Sequence, residues 1–255
     1  MISVNLKGRL GNQIFQYAVC RIIAYKNNYN FLIPEIGEPS TEGIHVKNFF
    51  DNLDLGVNDG QIKNFIYDDI YSQSFNPNIF NSPDFTKLDG FFQCPKYFDG
   101  YEDIVRSWFN LTLNEESKLI LEKYDVNNFC YIHLRGSDYK WHSHWFLNKE
   151  YYQKGMDYIK TIYPNMKFVI ITDDTNDSKN LFPDIDCISS NDMKTDFLVL
   201  LNSKFNIISN STFSWWSAWL KKKEIVIAPN NWLNYNKPEL GFYPKDMKTK
   251  EFIYL

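Results

Sequence analysis

The chain places Ser209, Asn210, Ser211 and Thr212 directly ahead of an apolar segment carrying Trp215, Trp216 and Trp219. Backbone N–H groups at a helix start lack intrahelical partners, and with nearby hydroxyls and the positive end of the helix dipole they attract anions. The plainer reading is that a Ser or Thr caps the helix. In "HLRGSD", His133 and Arg135 fall on one side of a strand, with Asp138 in the turn beyond. Arginine makes paired, planar hydrogen bonds to phosphate oxygens, and a neighbouring carboxylate can orient it. "RLGNQ" supplies Gly8 and Gly11 for close backbone approach, and Asn12 and Gln13 amides that can bond sugar hydroxyls or a phosphate. Asp173 stands in "TDD" at the end of another apolar run. These sets suit a ligand that carries phosphate and hydroxyl groups.

Other sets carry less. Asp184 and Asp186 have the Asp-x-Asp spacing that holds a divalent metal with a sugar nucleotide in some transferases, but they follow Phe182-Pro183 in what reads as a surface turn. In "KWHSHWF", His142 and His144 have no third ligand for zinc, so Trp141, His142 and His144 read as loop residues that touch an acceptor. Neither a dinucleotide fingerprint, a P-loop, GxSxG nor HExxH is present. We expect no metal and no cofactor.

These residues need elements to place them. "ISVNLKG" alternates like a strand, "RLGNQ" breaks it, and "IFQYAVCRIIAYKNN" follows with helical spacing. Residues 30–125 are less regular, with short apolar runs and one helical stretch, "EESKLILEKY". A domain boundary is expected near Asp125. Beyond it, "NFCYIHLRG", "MKFVIITDD", "FNIISN" and "EIVIAPN" read as strands separated by helical segments. That alternation implies right-handed parallel crossovers and a doubly wound α/β sheet, in which ligands bind past the carboxyl ends of the strands. Four strand ends then carry the polar sets, and the expectation is that they face one cleft.

With 255 residues and 44% apolar content, the chain can bury one large α/β domain or two smaller ones. The net charge of −4, with dispersed basic residues, gives no attraction to a nucleic-acid backbone. Four scattered cysteines without a CxxC pair point to a reducing, cytoplasmic setting. No signal peptide is expected, and no window reaches the roughly 18 apolar residues that span a bilayer. Lys221, Lys222 and Lys223 allow peripheral contact with acidic lipids, although cations at a helix end also complement its dipole. Aromatic residues reach 18%, more than a core alone asks for, and their faces suit sugar rings and bases.

"GRLGNQIFQYA", "HLRGSDY" and "SNSTFSWWSAWL", in that order and spacing, resemble the family-11 glycosyltransferases, the α-1,2-fucosyltransferase family. The likeness runs through "KTDFLVLLNSKFNIISNS" to "IAPNNWL", while residues 30–125 add little. It implies a GT-B fold with two Rossmann-like domains facing across a cleft, residues 1–125 on the acceptor side and 126–255 binding the GDP-sugar. It further implies GDP-fucose as donor, a galactose-type glycan hydroxyl as acceptor, inversion at the anomeric carbon and no metal. The family's His-x-Arg-Arg falls on His133, Leu134, Arg135 and Gly136, so the second arginine is a glycine here. Arg135 is then the expected diphosphate ligand. Asp138 matches the motif's aspartate, and Ser211, Thr212 and Phe213 match the segment that contacts the diphosphate or nucleotide. Gly11 and Asn12 match the turn facing the donor, and Asp173 joins the donor set. Asp138, His133 and the departing phosphate stay open as acceptors of the hydroxyl proton. The alternatives are a transferase for another GDP-deoxyhexose or GDP-mannose, and a binding relative without turnover.

Overall fold

The structure is a computed structural model that describes residues 1–35, 43–67, 74–136, 139, 144–190 and 192–255. Asp138, Trp141 and His142 lie outside the described residues. The chain divides into two compact units, Met1–Leu111 with Tyr243–Thr249, and Thr112–Phe242 with Lys250–Leu255.

The first unit holds β1 (Ile2–Asn5), α1 (Leu10–Asn27), β2 (Phe31–Leu32), α2 (Val46–Phe49), β3 (Asn64–Tyr67), β4 (Thr86–Asp89) and α3 (Glu102–Ser107). Its sheet has the order β2-β1-β4-β3, with every pair parallel. Helix α1 starts at Leu10, so Gly11, Asn12 and Gln13 form its first turn rather than a loop, and the break is confined to Gly8, whose φ of +66° suits glycine. The cause is visible in the two glutamines. Gln13 donates from Nε2 to Gly8 O at 3.0 Å and accepts Val46 N–H at 2.9 Å, which ties α1 to the glycine turn and to α2. Gln16 accepts Lys7 N–H at 2.9 Å and donates to Gly90 O at 3.0 Å. Both side chains are fully buried, so their hydrogen bonds serve the fold, and Gln13 is no sugar ligand here.

The second unit holds α4 (Glu115–Lys123), β5 (Phe129–Leu134), α5 (Lys149–Ile162), β6 (Lys167–Thr172), α6 (Thr175–Leu181), β7 (Cys187–Ile188), α7 (Met193–Asn202), β8 (Phe205–Ile207), α8 (Thr212–Trp219), β9 (Ile225–Ala228) and β10 (Ile253–Tyr254). Its strands are all parallel in the order β10-β9-β8-β5-β6-β7. Alternate residues of β5 feed opposite faces: Cys130, Ile132 and Leu134 pack with Tyr151, Tyr152 and Met156 of α5, whereas Tyr131 packs with Val199 and Leu200 of α7. A sheet covered on both faces is what the unbroken apolar strands require. The division falls ahead of α4 rather than near Asp125, because α4 packs on α7: its cap residue Asn114 donates to Thr195 Oγ1 at 2.8 Å, and Tyr124 joins the cluster around Tyr131 and Val199.

Trp215, Trp216 and Trp219 of α8 are fully buried. Trp215 and Trp219 stack at 5.5 Å, and Trp216 meets Trp219 edge-on at 5.4 Å. Large aromatic area buried along two successive turns holds the polar start of α8 rigidly in place. The lysines that follow behave differently from one another. Lys223 is half-buried, and its Nζ donates to Leu200 O at 2.9 Å, Leu201 O at 2.6 Å and Ser203 O at 2.8 Å. It thus closes the carboxyl end of α7, whose last carbonyls have no intrahelical partner.

Candidate functional site

In the second unit the chain runs outward from β5 to β6 and β7, then returns to place β8 on the other side of β5. The loops leaving β5 and β8 therefore diverge from adjacent strands, and such a reversal opens a crevice beyond the carboxyl ends. His133 and Arg135 come from β5, Ser209 to Ser211 from β8, and Asp173 from the end of β6. The sequence-predicted residues of this unit that are described meet at that edge. Asp184 and Asp186 do not: they precede β7, at the amino end of the sheet, where Asp186 accepts the Tyr124 hydroxyl at 3.0 Å.

Arg135 is held by its neighbours. Its Nη1 lies 2.5 Å from Asp173 Oδ2, the other carboxylate oxygen of Asp173 accepts Gly136 N–H at 2.8 Å, and the guanidinium carbon sits 5.6 Å from the Tyr139 ring centre. Asp173 is thus an orienting carboxylate for this arginine, joined by an aromatic face that suits a planar cation. Gly136 is required by the same corner. A Cβ there would stand 2.6 Å from Asp174 Cβ at the start of α6, so the family's second arginine cannot be accommodated without moving that helix.

The start of α8 lies beside this arginine, since the Tyr139 hydroxyl donates to Asn210 O at 3.1 Å. Ser211 is the N-cap in extended conformation, yet its side chain makes no capping hydrogen bond, and the first turn carries no acidic residue. Ser214 instead turns its hydroxyl back to Ser211 O at 3.0 Å. The plain capping role expected of Ser211 is therefore not filled, and the positive end of α8 is left to other partners. Thr212 and Phe213 are partly exposed at this start.

His133 is 5% exposed, with Nδ1 at 2.8 Å from Ser209 Oγ and its ring 5.7 Å from that of Phe213. Burial, reinforced by the Arg135 charge, pulls its pKa down to about 3. The imidazole is neutral at physiological pH and a poor proton acceptor. Phe213 is held from the other side by Phe197, with ring centres 5.1 Å apart. Close by on α7, Asp196 accepts Ser190 Oγ at 2.8 Å, and burial raises its pKa to about 7, aided by Asp192 and Glu116.

The first unit has its own reversal, between β1 and β4. Gly11 and Asn12 lie beyond β1 at this edge, and Asn12 Oδ1 accepts Gln93 Nε2–H at 2.8 Å. Lys7 pairs with Asp89, which also accepts Asn5 Nδ2–H at 2.8 Å. His144, the described member of the expected acceptor loop, lies 5.4 Å from the Trp145 ring in the second unit. Among the described residues, no group of three or more His, Cys, Asp or Glu could hold a metal ion, and no helix is long and apolar enough to cross a membrane. Sequence reasoning missed Tyr139, whose only signal is its place one turn beyond Arg135. It also missed the partnership of Asp173 with that arginine, which depends on β6 lying beside β5.

The fold and sequence have known counterparts. The chain is 29% identical over 188 residues to an alpha-1,2-colitosyltransferase of Escherichia coli, an alignment covering 68% of this chain and 63% of that protein's length. It is 24% identical over 290 residues to the O-antigen biosynthesis glycosyltransferase WbnK of Escherichia coli, covering 91% and 94%. Among solved structures, the fucosyltransferase NodZ from Bradyrhizobium superposes with a TM-score of 0.52 at 14% identity, over 87% of this chain and 93% of that one. NodZ soaked with GDP-fucose, described as an alpha-1,6-fucosyltransferase, gives the same score at 14% identity, over 87% and 92%. The two parallel α/β units are those of the GT-B class of fold. The description "Glycosyl transferase family 11" matches residues 1–255, and by that full-length match the chain belongs to glycosyl transferase family 11.

Proposed function

We propose that the protein is an inverting fucosyltransferase that moves L-fucose from GDP-fucose to a galactose-type hydroxyl of a glycan, forming an α-1,2 linkage without a metal. The observation that carries this reading is the pairing of an oriented Arg135 with the start of α8, where the Ser211 side chain makes no capping hydrogen bond, at one strand-order reversal. Loss of GDP leaves negative charge on the β-phosphate oxygen while the sugar takes on oxocarbenium character. A fixed guanidinium and preorganised N–H donors stabilise that charge more in the transition state than in the ground state. Arg135 serves as the cation, Ser211 and Thr212 supply the helix start, and Phe213 and Asp173 support the donor site. In the first unit, Gly11 and Asn12 are assigned to the donor and the remaining edge to the acceptor.

The acceptor hydroxyl must also lose a proton. His133 is unsuited to this, because it is buried, neutral and already engaged with Ser209. Asp138 and the departing phosphate are then the proton acceptors to test. A second donor is favoured by one relative's name, alpha-1,2-colitosyltransferase. Colitose is fucose without its 3-hydroxyl, so one site can hold the shared methyl-bearing face of both sugars.

The deciding experiment offers GDP-fucose, GDP-colitose, GDP-mannose and UDP-galactose side by side, in EDTA, with a panel of galactosides. Turnover of GDP-fucose alone is the expected result. Preference for GDP-colitose or GDP-mannose would move the donor assignment, loss of activity in EDTA would sink the metal-free mechanism, and GDP binding without turnover would favour a binding protein.

A further inference from the structure

The backbone at Trp145 and Phe146 is fastened by two asparagines. Asn210, immediately before the α8 cap, donates from Nδ2 to Trp145 O at 2.8 Å and is 1% exposed. Asn236 donates from Nδ2 to Phe146 O at 2.8 Å. Because Asn210 also accepts the Tyr139 hydroxyl on its own carbonyl, one residue positions both Tyr139 and Trp145 against the start of α8. The rings then run in sequence from the cation outward. Arg135 sits over Tyr139, Tyr139 lies 5.7 Å from Trp145, and Trp145 lies 5.4 Å from His144.

These rings differ from the core tryptophans. Trp215, Trp216, Trp219 and Trp232 are at most 1% exposed and fill the core, whereas Tyr139, His144 and Trp145 are all partly exposed. An aromatic row fastened through the Tyr139 hydroxyl and the Trp145 carbonyl, with rings only partly buried, can meet a ligand at little further entropic cost. We propose that Trp145, supported by Tyr139 and His144, is the stacking platform for the acceptor galactose ring, and that Asn210 is the positioning residue that sets it at a fixed distance from Arg135.

This rests on the transferase reading above. The order of the row supports the acceptor as occupant. Tyr139 adjoins the cation that holds the diphosphate, so a ring beyond it is displaced from the phosphate by the space a donor sugar needs. The apolar C–H face of a galactoside matches an indole, and its hydroxyl edge stays available for transfer. Neither Trp145, Tyr139 nor Asn210 is part of the Arg135–Asp173 pair.

The test uses Trp145→Leu, which keeps apolar packing but removes the ring, and Trp145→Phe, which restores a ring. Transfer to lactose, N-acetyllactosamine and methyl β-galactoside is measured with the preferred GDP-sugar, together with GDP affinity and thermal melting. In the leucine variant, KM for the galactoside rises about tenfold with kcat little changed, as loss of uniform binding predicts. GDP affinity and melting stay near wild type, and the phenylalanine variant recovers most of the loss. An unchanged galactoside KM overturns the proposal, as does a rise in donor KM instead. If both variants melt far below wild type, Trp145 belongs to the fold and the proposal is also overturned. A wild-type protein that turns over a GDP-sugar but uses no galactoside defeats the platform alone. One that neither binds GDP nor consumes any GDP-sugar defeats the transferase reading and the platform with it.

Discussion

Arg135 makes its ion pair with Asp173 while only partly buried, with 21% of its side chain exposed, so it can exchange part of that contact for a phosphate. Removing it takes away a charge-assisted hydrogen-bond donor. Arg135→Ala is expected to weaken GDP binding about ten- to a hundredfold and to reduce transfer at least as much; near-normal turnover in the variant would remove its assigned role. Asp196 makes a different prediction at the same scale. Its pKa is raised to about 7, chiefly by burial, so the folded protein holds this proton more tightly than the unfolded chain does. Its stabilising contribution is complete below the ordinary aspartate pKa and is lost as pH rises through about 7. The melting temperature of the wild type should therefore fall as pH rises from about 4 to about 7 and level off above that, and that of Asp196→Asn should fall less. Equal slopes would show that another group titrates. His133, read from sequence as a candidate proton acceptor, is disfavoured in that role by surroundings that sequence spacing does not reveal: Ser209 follows a neighbouring strand, and burial removes the water that would stabilise an imidazolium.

Among the elements, α7 and α8 show how a charge run can serve a neighbour. The Lys221–Lys223 run follows α8 in sequence, yet Lys223 reaches three carbonyls at the end of α7. Lys223→Ala removes the donor these carbonyls share, leaving Leu200 O with the Ser203 hydroxyl at 2.8 Å, and should cost about 1–3 kcal/mol, read as a lower denaturant midpoint at unchanged slope. An unaltered midpoint would mean that water replaces the ammonium. For peripheral lipid contact, the consequence is that Lys223 is taken up inside the fold. Helix α1 is a second case. Its apolar spacing is plain in "IFQYAVCRIIA", but its start moves upstream because Gln13 is used to bind the glycine turn and α2. Strands β2 and β7 span only two residues each, too short to show an alternating pattern.

For the whole molecule, a bound nucleotide should act on stability by mass action. GDP at a hundred times its Kd is expected to raise the unfolding free energy by about 2.7 kcal/mol, and the thermal shift should persist in EDTA. No shift at any GDP concentration would contradict a nucleotide site. The sequence by itself determined the alternating strands and helices of the second unit, because apolar periodicity is a local property and long buried strands display it. It also singled out the two segments to which the donor site is assigned by proposal, "HLRGSD" and "SNSTFS", since an arginine after a strand and hydroxyls before a helix have local chemical meaning. Only the tertiary structure decided that β8 lies against β5, that Asp173 orients Arg135, that Asp174 excludes a side chain at position 136, and that Asn210 fixes Trp145. The same holds for the second unit taking α4 and the last strand while the first takes Tyr243–Thr249. Each of these joins residues far apart in the chain, and such pairings are set by strand order and two-sided packing of the sheet, which no local pattern encodes.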